Sequence, residues 1–143
     1  IPGGSSAKVF KAGERFKIKR KVDGKDIEQE MDMLDLPYDF DSLIQAGSMS
    51  GSSAIIVMDD STDIVEALAN IAEFYAHESC GQCTPCRVGT EKAAKLMATG
   101  PWNEELLNEL STLMRDASIC GLGQAAPNPI DCVIRYFPKE LQT

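Results

Sequence analysis

Two different periodicities divide the chain. The first part contains apolar positions at a spacing of two, the signature of a strand with one covered face. In Phe16-Lys17-Ile18-Lys19-Arg20-Lys21-Val22, the residues Phe16, Ile18 and Val22 share one side and the lysines share the other. Asp23-Gly24 follows, a two-residue hairpin signal, since glycine accepts the positive φ such turns need. The return strand would carry Ile27, Met31 and Met33 on one side. Ser42 to Ala46 predicts a short helix with Leu43 and Ile44 inward, stopped by Gly47. Ala54-Ile55-Ile56-Val57-Met58 reads as a compact apolar strand.

From about residue 61 the spacing becomes helical. Asp63 with Glu66 three residues on resembles a capping box, and Ile64, Leu68, Ile71 and Tyr75 then form a stripe. Thr84-Pro85 reads as N-cap and first turn of a second helix, with Val88, Leu96 and Met97 apolar and Gly100-Pro101 ending it. A third helix runs from about Asn103 to Asp116 and would bury Leu106, Leu110, Leu113 and Met114. A fourth begins at Asn128-Pro129, turns Ile130, Val133, Ile134 and Phe137 inward, and stops at Pro138. Four short helices with brief connections predict a small bundle.

Composition narrows the function classes. Across 143 residues, 14 basic and 22 acidic side chains leave a net charge of −8, which argues against nucleic acid as the main partner. No apolar run is long enough to cross a bilayer, so direct membrane insertion is not expected. The opening Ile1-Pro2-Gly3-Gly4 suggests a piece of a longer polypeptide. Five cysteines without an export signal point to a reducing, cytoplasmic setting, the cytoplasmic face of a membrane-associated complex included. His77 has no nucleophile partner in any recognisable motif and reads as a helix-end polar residue, so no catalytic residue is assigned.

Four of the five cysteines form a pattern. Glu78-Ser79-Cys80-Gly81-Gln82-Cys83-Thr84-Pro85-Cys86-Arg87 gives C-x2-C-x2-C, and Cys120 follows after 33 intervening residues in Ile119-Cys120-Gly121-Leu122-Gly123. Three closely spaced thiolates and a remote fourth suit one [4Fe–4S] cluster. Structural zinc usually takes two separated pairs, a poorer match, although a zinc-stabilised interaction domain stays an alternative. The cluster's ligands would be Cys80, Cys83, Cys86 and Cys120. Around them, the N-terminus of the second helix and the Arg87 guanidinium would offset negative charge, and Gly81, Gly121 and Gly123 would let the backbone approach the sulfurs. Cys132 is left over and reads as a small core residue.

The string ESCGQCTPCR resembles the signature of a family made up of the NADH-binding, flavin-containing subunits of respiratory complex I. That family's soluble relatives include NAD(P)-reducing hydrogenases and NAD-linked formate dehydrogenases. The likeness extends to Ile1-Pro2-Gly3-Gly4-Ser5-Ser6, Gly47-Ser48-Met49, Ile56-Val57-Met58-Asp59, Phe74-Tyr75-Ala76-His77 and Arg135-Tyr136-Phe137, in the family's order. The resemblance implies an α+β chain. Residues 1–60 would be a partial β-grasp, ubiquitin-like segment with an inserted hairpin, and residues 61–143 a four-helix bundle carrying the cluster. It also implies a parent protein whose FMN and NAD(P)H domain is not part of this chain, so neither ligand is expected here. The stretch from Lys8 to Met33 is longer than the family's usual link, and the gap from Cys86 to Cys120 is shorter than in complex I members. Cys120-Gly121-Leu122-Gly123-Gln124 followed by Pro127-Asn128-Pro129 is closer to the hydrogenase-type relatives. The implied role is an electron-transfer module that serves partner redox subunits, the parent and not the fragment being the enzyme. The alternative is a ligand- or partner-binding β-grasp module with a purely structural metal site.

Overall fold

The computed structural model describes residues 1–22, 24–99 and 101–142. Their elements run β1 (Arg15–Val22), β2 (Lys25–Asp32), α1 (Phe40–Gln45), α2 (Ile64–Glu78), α3 (Thr84–Met97), α4 (Glu104–Ala117), α5 (Gly121–Ala125) and α6 (Pro127–Tyr136), closing on a 3-10 turn at Glu140–Gln142. The chain is mixed α/β and divides into two units, Ile1–Val57 and Met58–Thr143.

In the first unit β1 and β2 form an antiparallel hairpin with Val22 opposite Lys25, the register of a two-residue turn. Gly24 has the positive φ that turn needs, at 78°, and Asp23 lies outside the described residues. One face is a ladder of opposite charges: Arg15↔Asp32, Lys17↔Glu30, Lys19↔Glu28 and Lys21↔Asp26. The other face pairs Phe16 with Met31 and Ile18 with Gln29. Ile18 and Met31 are buried, but Val22 and Ile27 near the tip are exposed, so the predicted apolar face is covered only at the base of the hairpin. Met33 lies beyond the end of β2.

α1 is capped by Asp39, whose Oδ1 accepts the Ser42 N–H, and it ends in a Schellman motif. The Ser48 N–H donates to Leu43 O and the Gly47 N–H to Ile44 O, with Gly47 at φ 79°. Leu43 is buried as predicted. Ile44 is 50% exposed, which corrects its inward assignment: six residues offer only one side that can be covered. The predicted strand at Ala54–Met58 reduces to one bridge, Ile55 with Pro2. Ile56 N–H donates to Ile1 O, but Gly3 and Gly4 then turn both their N–H groups onto Ala54 O, so the pairing cannot propagate. Ile55 and Val57 are exposed in consequence.

In the second unit α2 packs on α3, α3 on α4, α4 on α6, and α6 on α2. Asp63 caps α2 as the sequence predicts, and Asn103 caps α4; they accept N–H bonds from Glu66 and Leu106 at 3.0 Å. The core gathers Leu68, Ala93, Met97, Trp102, Leu107 and Val133. The Trp102 indole donates to Met97 O at 3.1 Å, which satisfies its one buried polar atom. Leu107, Leu110 and Met114 form the buried stripe of α4, whereas Leu106 and Leu113 are exposed, against expectation. Two further corrections concern helix starts. α3 begins at Thr84 with Cys83, not Thr84, in the cap position. α6 begins at Pro127, so Asn128 lies within its first turn and is buried. The predicted stop at Gly100 falls outside the described residues.

Candidate metal centre

Four helix ends supply the cysteine loops. α2 ends at its C-cap Ser79, Cys80 follows, and Cys83 is the N-cap of α3. α4 ends at its C-cap Ser118, and Cys120 is the N-cap of α5. Cys86, in the first turn of α3, is buried; Cys83 is half-buried, and Cys80 and Cys120 are exposed. None of the five cysteines forms a disulfide.

No side-chain hydrogen bond caps α3. The Cys83 sulfur instead sits where backbone donors favour its thiolate. Its pKa is lowered, first by the Ile119 N–H and then by the Cys86 N–H. The first of these donors lies next to Cys120, so the fold brings the remote cysteine's loop onto the triplet. The Cys86 thiol is pushed up, chiefly by burial, and then by the neighbouring charges of Cys83, Cys120 and Cys80. Cys83, Cys120 and Cys80 therefore all lie within electrostatic reach of Cys86. The gathering is open: among the described residues, no three His, Cys, Asp or Glu side chains form a group able to hold one metal ion. Around a single tetrahedral zinc, with Zn–S near 2.3 Å, sulfurs would stand about 3.8 Å apart.

Three ties hold the loops. Arg87 Nη1 donates to Gly81 O at 2.9 Å, so its charge is spent on fixing the Cys80–Cys83 turn as well as on the local field. Gly81 has φ 77°, a conformation that sets the turn and disfavours any side chain. Gln124 Nε2 donates to Ser118 O at 3.0 Å and closes the second loop. A Cβ at Gly123 would stand 2.4 Å from Ser118 Oγ and 2.8 Å from Cys86 Cβ, so the start of α5 rests directly on α3. A Cβ at Gly121 would meet no protein atom within 4 Å, so crowding by the chain gives no reason for glycine there. His77 lies in the last turn of α2, exposed, with Nδ1 3.0 Å from Glu78 Oε1, and Cys132 is buried in α6.

The sequence reading missed α5, Ser79 and Ser118. Both serines directly follow helices and lie within two residues of a cysteine, a pattern visible in the string but without a known meaning until the helix ends are placed.

These features define a small helical unit in which two cysteine-bearing loops, one between α2 and α3 and one between α4 and α5, are set side by side. Residues 66–143 match the family described as the NADH-ubiquinone oxidoreductase-F iron-sulfur binding region, and the chain belongs to it. The F subunit of NADH-quinone oxidoreductase from Rickettsia rickettsii (strain Sheila Smith) is 45% identical over 117 residues, 77% of this chain and 28% of that protein. The mitochondrial NADH-ubiquinone oxidoreductase 51 kDa subunit of Neurospora crassa is 46% identical over 110 residues, 73% of this chain and 22% of that protein. Among solved structures, an NAD+-reducing [NiFe]-hydrogenase in its H2-reduced state aligns with TM-score 0.61 and 36% identity, over 67% of this chain and 18% of that one. The chain spans less than a third of the curated relatives it matches. Among the described residues, no helix is long and apolar enough to cross a membrane.

Proposed function

We propose that Cys80, Cys83, Cys86 and Cys120 hold one [4Fe–4S] cluster, and that the chain is the electron-transfer portion of an NAD(P)H-linked oxidoreductase. The carrying observation is the close approach of the two loops: three residues past Cys120, a Cβ at Gly123 would stand 2.8 Å from Cys86 Cβ, which sets the remote cysteine's loop against the triplet. The donor set fits the group: four thiols, none in a disulfide, with Cys83, Cys120 and Cys80 all within electrostatic reach of Cys86. The closed sequence of contacts α2–α3–α4–α6 supports a four-helix bundle as the carrier. The chemistry supplied by such a cluster is one-electron transfer.

The chain's own residues ligate, orient and screen. Cys86 supplies a buried thiolate, and α3 directs its free N-terminal amides toward the Cys83 side. Arg87 and Gln124 fix the two loops in place. In the parent protein, FMN and NAD(P)H would carry out the hydride step outside this segment, and partner subunits would exchange single electrons with it. Placement on the cytoplasmic side follows from the reduced thiols this requires.

Metal analysis of anaerobically purified protein tests the reading. About four irons and four acid-labile sulfides per chain are expected, with a brown chromophore. Cys83→Ala should bleach it or leave a labile three-iron species. One zinc without sulfide, or an unchanged four-iron spectrum in the variant, would count against the assignment.

A further inference from the structure

Two serines occupy matching places beside the cysteine loops. Ser79 caps the C-terminus of α2 and Ser118 that of α4, both extended, at φ −62°, ψ 122° and φ −75°, ψ 141°. Each closes the last turn of its helix through its N–H, onto Tyr75 O at 3.1 Å and Met114 O at 3.2 Å. Their backbone duties are thus the same, and any residue could perform them. The hydroxyls are what need an explanation.

Ser79 Oγ lies 3.3 Å from Cys86 Sγ and accepts the Gly81 N–H at 3.4 Å. The free thiol or the hydroxyl could donate in this pair, but once Cys86 is a ligated thiolate only the hydroxyl has a proton to give. Ser118 is only 6% exposed, and its Oγ has no hydrogen-bond partner among the described residues. A buried hydroxyl without a partner is penalised, and alanine would fill the same space without that penalty. The orphan oxygen is 2.4 Å from the point where a Gly123 side chain would begin, and that point is 2.8 Å from Cys86 Cβ. One hydroxyl therefore lies within hydrogen-bond distance of the Cys86 sulfur, and the other is buried near the same side chain without a partner among the described residues.

The geometry points to Ser79 and Ser118 as positioning residues that set the reduction potential of the centre, by donating hydroxyl hydrogen bonds to its sulfur atoms on the Cys86 side. Reduction adds negative charge to the sulfurs, so donors aimed at them stabilise the reduced state more than the oxidised one and raise the potential. This rests on the cluster reading above and extends it to two residues that ligate nothing.

The experiment compares the full chain, purified without oxygen, with Ser79→Ala, Ser118→Ala, the double variant and Ser79→Thr. Iron and sulfide are measured in each, and the midpoint potential is followed by redox titration with electron paramagnetic resonance detection. Each alanine variant should keep its iron and sulfide and move to lower potential. The double variant should shift furthest, toward a tenfold change in the one-electron equilibrium, which is about 59 mV. Ser79→Thr, which keeps the hydroxyl, should stay near the parent value. Exchangeable-proton couplings to the reduced centre should weaken in the alanine variants, a change that a purely structural role would not produce. Full iron content with unchanged potentials overturns the inference. Loss of iron from both alanine variants overturns it equally, by making the hydroxyls supports of the loops. Absence of iron and sulfide from the parent chain would instead defeat the cluster reading itself.

Discussion

At position 123 one added carbon would approach Ser118 Oγ to 2.4 Å, Ser118 Cβ to 2.7 Å and Cys86 Cβ to 2.8 Å. Real contacts of that kind do not occur, and the obstructing atoms are the stiff first atoms of short side chains. Gly123→Ala should therefore lift the start of α5 away from α3 at a cost of about 1–3 kcal/mol. Because Cys120 caps α5, the variant should lose iron to a chelator faster than the parent; equal retention would mean the approach is not needed. Ser111 gives the opposite case. Its Oγ is buried on α4 without a hydrogen-bond partner among the described residues, and no cysteine loop adjoins it in sequence. Ser111→Ala should raise stability by about 1 kcal/mol, read as a higher urea midpoint with unchanged slope. A lower midpoint would show that the hydroxyl has a partner after all. At this scale the cysteine pattern was legible, because its spacing is written directly in the chain. The serines were not, since a hydroxyl gains meaning only from what the fold sets beside it.

Among the elements, the hairpin was legible because both of its signals are local: alternation in β1 and glycine at the turn. What the pattern could not show is how β1 is held. Gln45 at the end of α1 accepts the Lys19 N–H at 2.7 Å and donates to Lys19 O at 3.0 Å, so one side chain does for β1 what a third strand would do. Gln45→Ala should remove both bonds at a cost of about 1 kcal/mol, and amide exchange at Lys19 should quicken several-fold while that at residues bonded to β2 changes less. Uniform quickening along the hairpin would place the anchor elsewhere. The helices show a different limit. α4 carries apolar residues at 106, 107, 110, 113 and 114, so two stripes one residue apart fit the helical period equally well. Packing within the core selected Leu107 and Met114. α5 escaped notice because two of its five residues are glycine, which opposes helix formation by about 1 kcal/mol each. Pro127 and Pro129 both fit the first turn of α6, where missing N–H groups cost nothing, so the earlier one could not be told from the later as the start.

For the whole molecule, the position of the core decides how far folding depends on the metal centre. The apolar cluster of the second unit is built from Ile64, Leu68, Met97, Trp102, Leu107 and Val133 among others, and none of the four pattern cysteines is part of it. Ile64, Leu68 and Ala72 of α2, Leu107 of α4, and Ile130 and Val133 of α6 all belong to it. In small zinc domains, by contrast, the metal replaces a core and its removal unfolds the chain. Here removal should be local. Stripping iron from purified protein should leave most of the helical circular dichroism and a single cooperative thermal transition, at a lower midpoint, because a ligand bound only by the native state adds to its stability. The lost order should concentrate at residues 79–86 and 118–125, seen as faster amide exchange there than in α2 or α4. A chain that loses its helices with its iron would show that the thiolates, and not the leucine, methionine and tryptophan core, hold the unit together. Retained helices with unaltered exchange at both loops would show that the thiolates bear no bound group worth stabilising.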